Sequence, residues 1–188
     1  MRAMKNKTEV GGMWGEKVDV TKVNGRLVVQ NRPKRKVTAD PTAAQTAVVK
    51  KFREAASWAK GQVDQLSEKA IYTTGITEKN SSAYVVAMRD YLNAPEVEFI
   101  KDGDYLGAIG DPIIIKATDD FLVTRVKVII TDASGTRLEQ GDAVQDLQKK
   151  FLWEYSATAA NVTLPGTKIT AIAFDRAGNE TSLEKVVS

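Results

Sequence analysis

The stretch "IIIKATDDFLVTRVKVIITDASGTRLEQG", residues 113–141, decides the fold. Ile113, Ile115 and Ala117 alternate with Ile114 and Lys116, and Val126, Val128 and Ile130 alternate with Lys127 and Ile129. A side-chain period of two is that of a strand with one face turned to a core. Asp119-Asp120 and Asp132-Ala133-Ser134-Gly135 punctuate the runs with residues that hydrogen-bond their own backbone or accept φ > 0, so both read as turns.

The same alternation continues beyond this stretch. Phe151, Trp153 and Tyr155, then Ile169, Ala171 and Ala173, are expected to face inward. Strands are expected at about 96–100, 104–108, 112–118, 122–131, 135–139, 150–156, 168–174 and 180–187, and this spacing suggests a β-sandwich. Asp175-Arg176-Ala177-Gly178-Asn179 separates the last two as a turn. Ile129, Ile172 and Phe174 then fall on the outer face of one sheet, where three apolar neighbours imply a covered surface.

Toward the N-terminus the period changes. Val48, Phe52, Ala55, Ala59, Val63, Leu66 and Ala70 recur at spacings of three and four, which predicts a helix from about 41 to 69. Asp40 is placed as its N-cap and Pro41 at its first position. At 1.5 Å per residue it would run ~40 Å, longer than the local structure can cover. A second helix over about 82–93 follows Ser81-Ser82, with Tyr84, Met88, Tyr91 and Leu92 on one side. Further upstream, Asn24-Gly25 predicts a two-residue hairpin turn that puts Val18, Val20, Leu27 and Val29 on one apolar side. These four, with Ile129, Ile172 and Phe174, are the candidate protein-interface residues. Pro95 marks the change from helix to strand. The expected fold is α+β in two domains: an N-terminal arm, β-hairpin and helix pair over 1–95, and a β-sandwich over 96–188.

Composition narrows the chemistry. The 188 residues include no cysteine and no histidine, which removes thiol nucleophiles, zinc–thiolate sites, imidazole ligands and the Ser-His-Asp triad. Carboxylate pairs remain at Glu96/Glu98, Asp102/Asp104 and Asp119/Asp120. A glycosidase, however, sets two carboxyls about 5–10 Å apart across a cleft with sugar-binding aromatics, and Trp58 and Trp153 are more easily read as core. No enzymatic activity is expected. No run approaches the ~18 apolar residues of a membrane span, and no membrane contact is expected. The basic start lacks an apolar segment behind it, so the expectation is synthesis in the cytoplasm without a signal peptide.

Charge is uneven. Residues 1–60 carry 14 Lys/Arg against 5 Asp/Glu, a net +9, and residues 61–188 carry 13 against 19, a net −6. Lys34-Arg35-Lys36 forms a basic patch beside Pro33. It reads first as a solvated linker, and nucleic acid is not the expected partner because neither a recognition helix nor an interleaved aromatic set accompanies it. Opposite charge at the two ends of a chain also suits contact between neighbouring subunits. No cofactor is expected. The one metal candidate is calcium, which needs ~6–8 oxygen ligands, at Asp119, Asp120, Asp175 and Asn179, with Asp142 and Asp146 within reach. The competing account is that these residues satisfy their own turns. Phe121 is the one aromatic placed where a carbohydrate could meet it.

The motifs also carry a resemblance. "IIIKATDDFLVTRVKVIITDASGTRLEQG", "LWEYSA" and "ITAIAFDRAGNET" together resemble bacterial Ig-like domains over about residues 102–188, which implies an Ig-like sandwich. Gly25, Val28, Val29, Pro33, Thr42, Gln45, Lys51, Phe52, Ala55 and Ser82-Ala83-Tyr84 resemble an uncharacterised family of Bacteroidota proteins that pair such a segment with an Ig-like half. The resemblance implies fold and no activity. With the unmatched stripe and the charge asymmetry, it leads to the expectation of a non-enzymatic structural protein. That protein would be a self-associating subunit of a phage virion or phage-like particle, bound to its own copies or to other particle subunits. The alternatives are a carbohydrate or cell-surface binding module, or a nucleic-acid-associated protein acting through the basic third.

Overall fold

A computed structural model describes residues 18–23, 26–31 and 40–187. The chain divides into two compact units, Met1–Ala44 and Gln45–Ser188. Pro95 does mark the change from helix to strand, but helices and sheets lie within the second compact unit.

The first unit contains a two-stranded antiparallel hairpin, β1 (Val18–Val23) and β2 (Arg26–Asn31). Its register pairs Val20 with Val29 and Lys22 with Leu27. Asn24, Gly25 and the basic patch Lys34, Arg35 and Lys36 lie outside the described residues.

Three helices come next: α1 (Ala43–Asp64), whose first two residues precede the boundary at Gln45, then α2 (Leu66–Thr73) and α3 (Ala83–Leu92) in the second unit. The expected long helix is thus two helices, starting at Ala43 rather than Pro41 and broken at Gln65, whose backbone is extended. Its stripe is divided with it: Ala55 and Ala59 are buried, whereas Leu66, at the start of α2, is exposed. In α3 the buried positions are Ala83, Val86, Ala87 and Asp90, not the Tyr84, Met88, Tyr91 and Leu92 side, which is half-buried. Small residues at i, i+3 and i+4 let the helices approach closely, and the larger side chains pack around that seam. Ser82 caps α3 by accepting from the Val85 N–H. Tyr72 of α2 stands at the centre, with Phe121 stacked on its ring at 4.9 Å and Trp58 meeting it edge-on at 5.9 Å. Phe121 is therefore half-buried against the helices and is not the exposed aromatic that the sequence implied.

Two four-stranded antiparallel sheets follow. One has the order β10 (Glu180–Val186), β9 (Lys168–Phe174), β5 (Arg125–Thr131), β6 (Arg137–Asp142). The other has the order β3 (Glu96–Lys101), β4 (Pro112–Thr118), β8 (Leu152–Ser156), β7 (Val144–Gln145). The chain is mixed α+β. One hydrophobic core draws on both sheets: Ile113, Ile115 and Ala117 from β4, Val126, Val128 and Ile130 from β5, and Ile169, Ala171 and Ala173 from β9. The alternation read from the sequence holds at each of these positions. Burial of this layer stabilises the fold at ~25 cal/mol per Å² of apolar surface removed from water.

Two expectations fail locally. Residues 104–108 form no strand; they turn, Gly107 has φ +88°, and a Cβ there would lie 2.2 Å from the Asn161 carbonyl oxygen. The Asp111 carboxylate closes this turn by accepting from the Leu106 and Ala108 N–H groups. Phe151 does not join Trp153 and Tyr155 inside. It sits in the turn before β8, where strand alternation no longer dictates direction, and is 43% exposed under the Lys116 ammonium.

Candidate functional site

The turn 175–179 joins the sheets to the helices. Asp175 is buried, and its two carboxylate oxygens accept from the Asn179 backbone N–H and side-chain amide, each at 2.7 Å. Gly178, at φ +91°, supplies the left-handed residue that the turn needs. The Asn179 amide nitrogen also faces the carbonyl oxygens of Asp90, Tyr91 and Asn93, at 3.0, 3.3 and 3.2 Å. These belong to the last turn of α3, whose carbonyls have no partner within the helix, so Asn179 caps that helix from a distant part of the chain. Beside it the Arg176 guanidinium grips Glu68 of α2 through Nε and Nη2, at 3.0 and 2.6 Å.

Behind the turn lies a buried acid. Asp90 is fully buried at the end of α3, and its Oδ2 accepts from the Tyr72 hydroxyl at 2.7 Å. Its Oδ1 and the Oδ1 of Asp119 are buried without a hydrogen-bond partner. Burial, reinforced by the negative charges of Asp175 and Asp119, pushes the Asp90 carboxyl up to about 7, against the pull of the Tyr72 hydrogen bond and Arg176. Burial also raises Asp119, opposed by the backbone N–H groups of Phe121 and Asp120. The Tyr72 hydroxyl is raised by its own burial and by its bond to Asp90.

The four calcium candidates are divided by this arrangement. Asp119, Asp175 and Asn179 come together, but the oxygens face mostly inward to the turn: Asp119 Oδ2 accepts from the Phe121 and Leu122 N–H groups. Asp120 turns away to Arg89, at 3.0 Å, and to the Asn93 amide. Asp142 and Asp146 line a separate groove. Among the described residues no three acidic side chains are grouped as a metal ion would require. Tyr72 and Asp90 were not singled out by the sequence; their one visible signal was a carboxylate at the helical spacing of Val86 and Ala87.

The interface candidates are placed as follows. Leu27 is 72% exposed and Val29 60%. Ile129, Ile172 and Phe174 are half-buried, and the Arg125 guanidinium lies over the Phe174 ring at 4.2 Å. The uncovered part of the helix stripe lies at the start of α1, where Val48 and Phe52 are 68% and 55% exposed. Missed by the sequence reading is a groove of about 590 Å³ beside β7 and β8, lined by Val144, Leu152, Trp153 and Tyr155 with Asp142, Asp146 and Glu154. Sequence alternation locates β8 but does not show that β7, only two residues long, leaves its flank open.

No helix among the described residues is long and apolar enough to cross a membrane. No family model, curated protein or solved structure matches this chain.

Proposed function

We propose that this chain is a non-enzymatic structural subunit that associates with its own copies, in the class of a phage virion or phage-like particle. The observation that carries the reading is the outward presentation of apolar side chains at Leu27 and Val29 on a two-stranded sheet. A hairpin of two strands is marginal in water, and such a surface gains stability only when something covers it. Residues 1–36 act as a clasp on a neighbouring subunit, and residues 96–188 form an Ig-like sandwich that projects outward. Two antiparallel sheets sharing one core, with the chain passing from one sheet at β6 to the other at β7, support the Ig-like reading.

The test is sedimentation of the purified full chain over a wide concentration range, with negative-stain microscopy of the same samples. Association into rings or filaments is expected, and the Leu27→Asp/Val29→Asp variant should sediment as a smaller species. A wild-type chain that remains monomeric up to ~1 mM would overturn the reading, since that corresponds to less than about 4 kcal/mol of association free energy.

A further inference from the structure

The stripe Val48, Phe52, Ala55, Ala59 runs along one side of α1, and its two halves meet different fates. Ala55 and Ala59 are buried, while Val48 and Phe52 stand open to solvent with Val49 beside them. The exposed portion that carries them, residues 47–54, spans ~12 Å of helix. It carries Lys50, Lys51 and Arg53 against Glu54. Lys51 is turned to the Leu92 carbonyl at 3.0 Å, and Lys50 meets Glu54 only at 3.9 Å, an exposed pair of the kind that contributes little. Lys50 and Arg53 are thus available to face a partner.

The groove beside β7 and β8 is the chemical complement. Its floor is apolar, Val144 on its wall is 73% exposed, and its charged lining is Asp142, Asp146 and Glu154 with no Lys or Arg among the lining residues. Lys149 and Lys150 belong to the loop that follows. All three carboxylates are exposed. A cavity of about 590 Å³ takes two apolar anchors at i and i+4, with the helix lying across its mouth.

We propose that the basic, apolar start of α1 in one copy docks in the acidic groove beside β7 and β8 of a second copy. This deepens the assembly reading and rests on it, by naming the two surfaces that meet. Because they are different surfaces, the contact is head-to-tail: each copy offers one of each, and repetition produces a ring or an open filament rather than a closed two-fold dimer. The charge division between the first 60 residues and the rest agrees in sign with this pairing.

The experiment uses two full-length variants. Lys50→Glu/Arg53→Glu spoils the helix and leaves the groove intact; Asp142→Lys/Glu154→Lys does the reverse. All four sites are exposed, and unchanged circular dichroism and melting confirm folding. Each variant alone should self-associate at least about tenfold more weakly than wild type, as expected for lost charge pairs at a docking surface. Mixed at equal concentration, they should associate again, because the intact helix of one meets the intact groove of the other and the two reversed surfaces are themselves opposite in charge. If wild type associates and the variants associate equally well, the surfaces are wrong and the assembly reading stands. If the variants are weakened but the mixture stays monomeric, the head-to-tail pairing is overturned. A monomeric wild type overturns both proposals together.

Discussion

The Asn179 side chain donates to the backbone carbonyl of Asp90 at 3.0 Å, across 89 positions of sequence. One amide thus closes its own turn through Asp175 and satisfies the end of a helix that it does not belong to. The turn is a fastener between layers.

Asn179→Ala should therefore destabilise the chain by about 2 kcal/mol, since it leaves both the α3 carbonyls and a buried Asp175 oxygen short of a donor. Urea unfolding measures this. Asn179→Asp should cost more, because it places a negative charge among those same acceptors. An effect below ~0.5 kcal/mol for both would show that water replaces the amide without loss.

The buried acid makes a prediction with a definite sign. Asp90 is raised from 3.8 in its ordinary state to about 7 in the fold. Between those values the folded chain binds the extra proton, so this residue's contribution is complete below about pH 4 and is lost as pH rises through about 7. The full swing is on the order of 4 kcal/mol. Asp90→Asn should gain on wild type as pH goes from 4 to 8, and parallel stability curves would refute the assignment.

Glu139 in β6 offers a separate test. Its Oε2 accepts from the Tyr155 hydroxyl at 2.9 Å, the Thr158 N–H at 2.6 Å and hydroxyl at 2.5 Å, and the Ala159 N–H at 3.2 Å. Four donors converge on one buried carboxylate oxygen. Glu139→Gln, which keeps the shape and removes the charge, should lower stability by about 2 kcal/mol in thermal or urea unfolding. Glu139→Leu should cost more, by leaving those donors bare.

Metal removal should change nothing. The oxygens of Asp175, and Oδ2 of Asp119 and of Asp120, are engaged by N–H donors of the chain itself. Excess EDTA is expected to leave the melting temperature within a degree or so of its starting value, about what a few tenths of a kcal/mol would produce. A clear fall reversed by calcium would establish a bound ion.

The core-forming strands were legible because their signal is local. Ile113, Ile115, Val126, Val128, Ile169 and Ala171 each announce a face by alternation, and burial follows. Phe151 fails the same rule because it lies one residue before the strand begins, where the period of two has not yet started. Tyr105 is buried without any strand around it; its ring enters the core from a turn, and the Asn161 amide meets its hydroxyl at 3.3 Å. Asp175 and Asn179 could be read as a turn, since their mutual bonds span four residues. Their hold on α3 could not, because it depends on a meeting of segments nearly ninety positions apart. The same is true of Asp90, an acid at a buried helical position whose partner Tyr72 comes from another helix.

The late arrival of Asn179 has a consequence for biosynthesis. As the chain leaves the ribosome, α3 emerges long before the residue that finishes its last turn. Until the 175–179 turn is made, those carbonyls rely on water and the Glu68 carboxylate lacks its Arg176 clamp. The helical layer and the β9–β10 hairpin of sheet strands must therefore mature as one event once the 175–179 turn has emerged, and any nascent chain stopped within β9 would carry helices that are formed but not fastened.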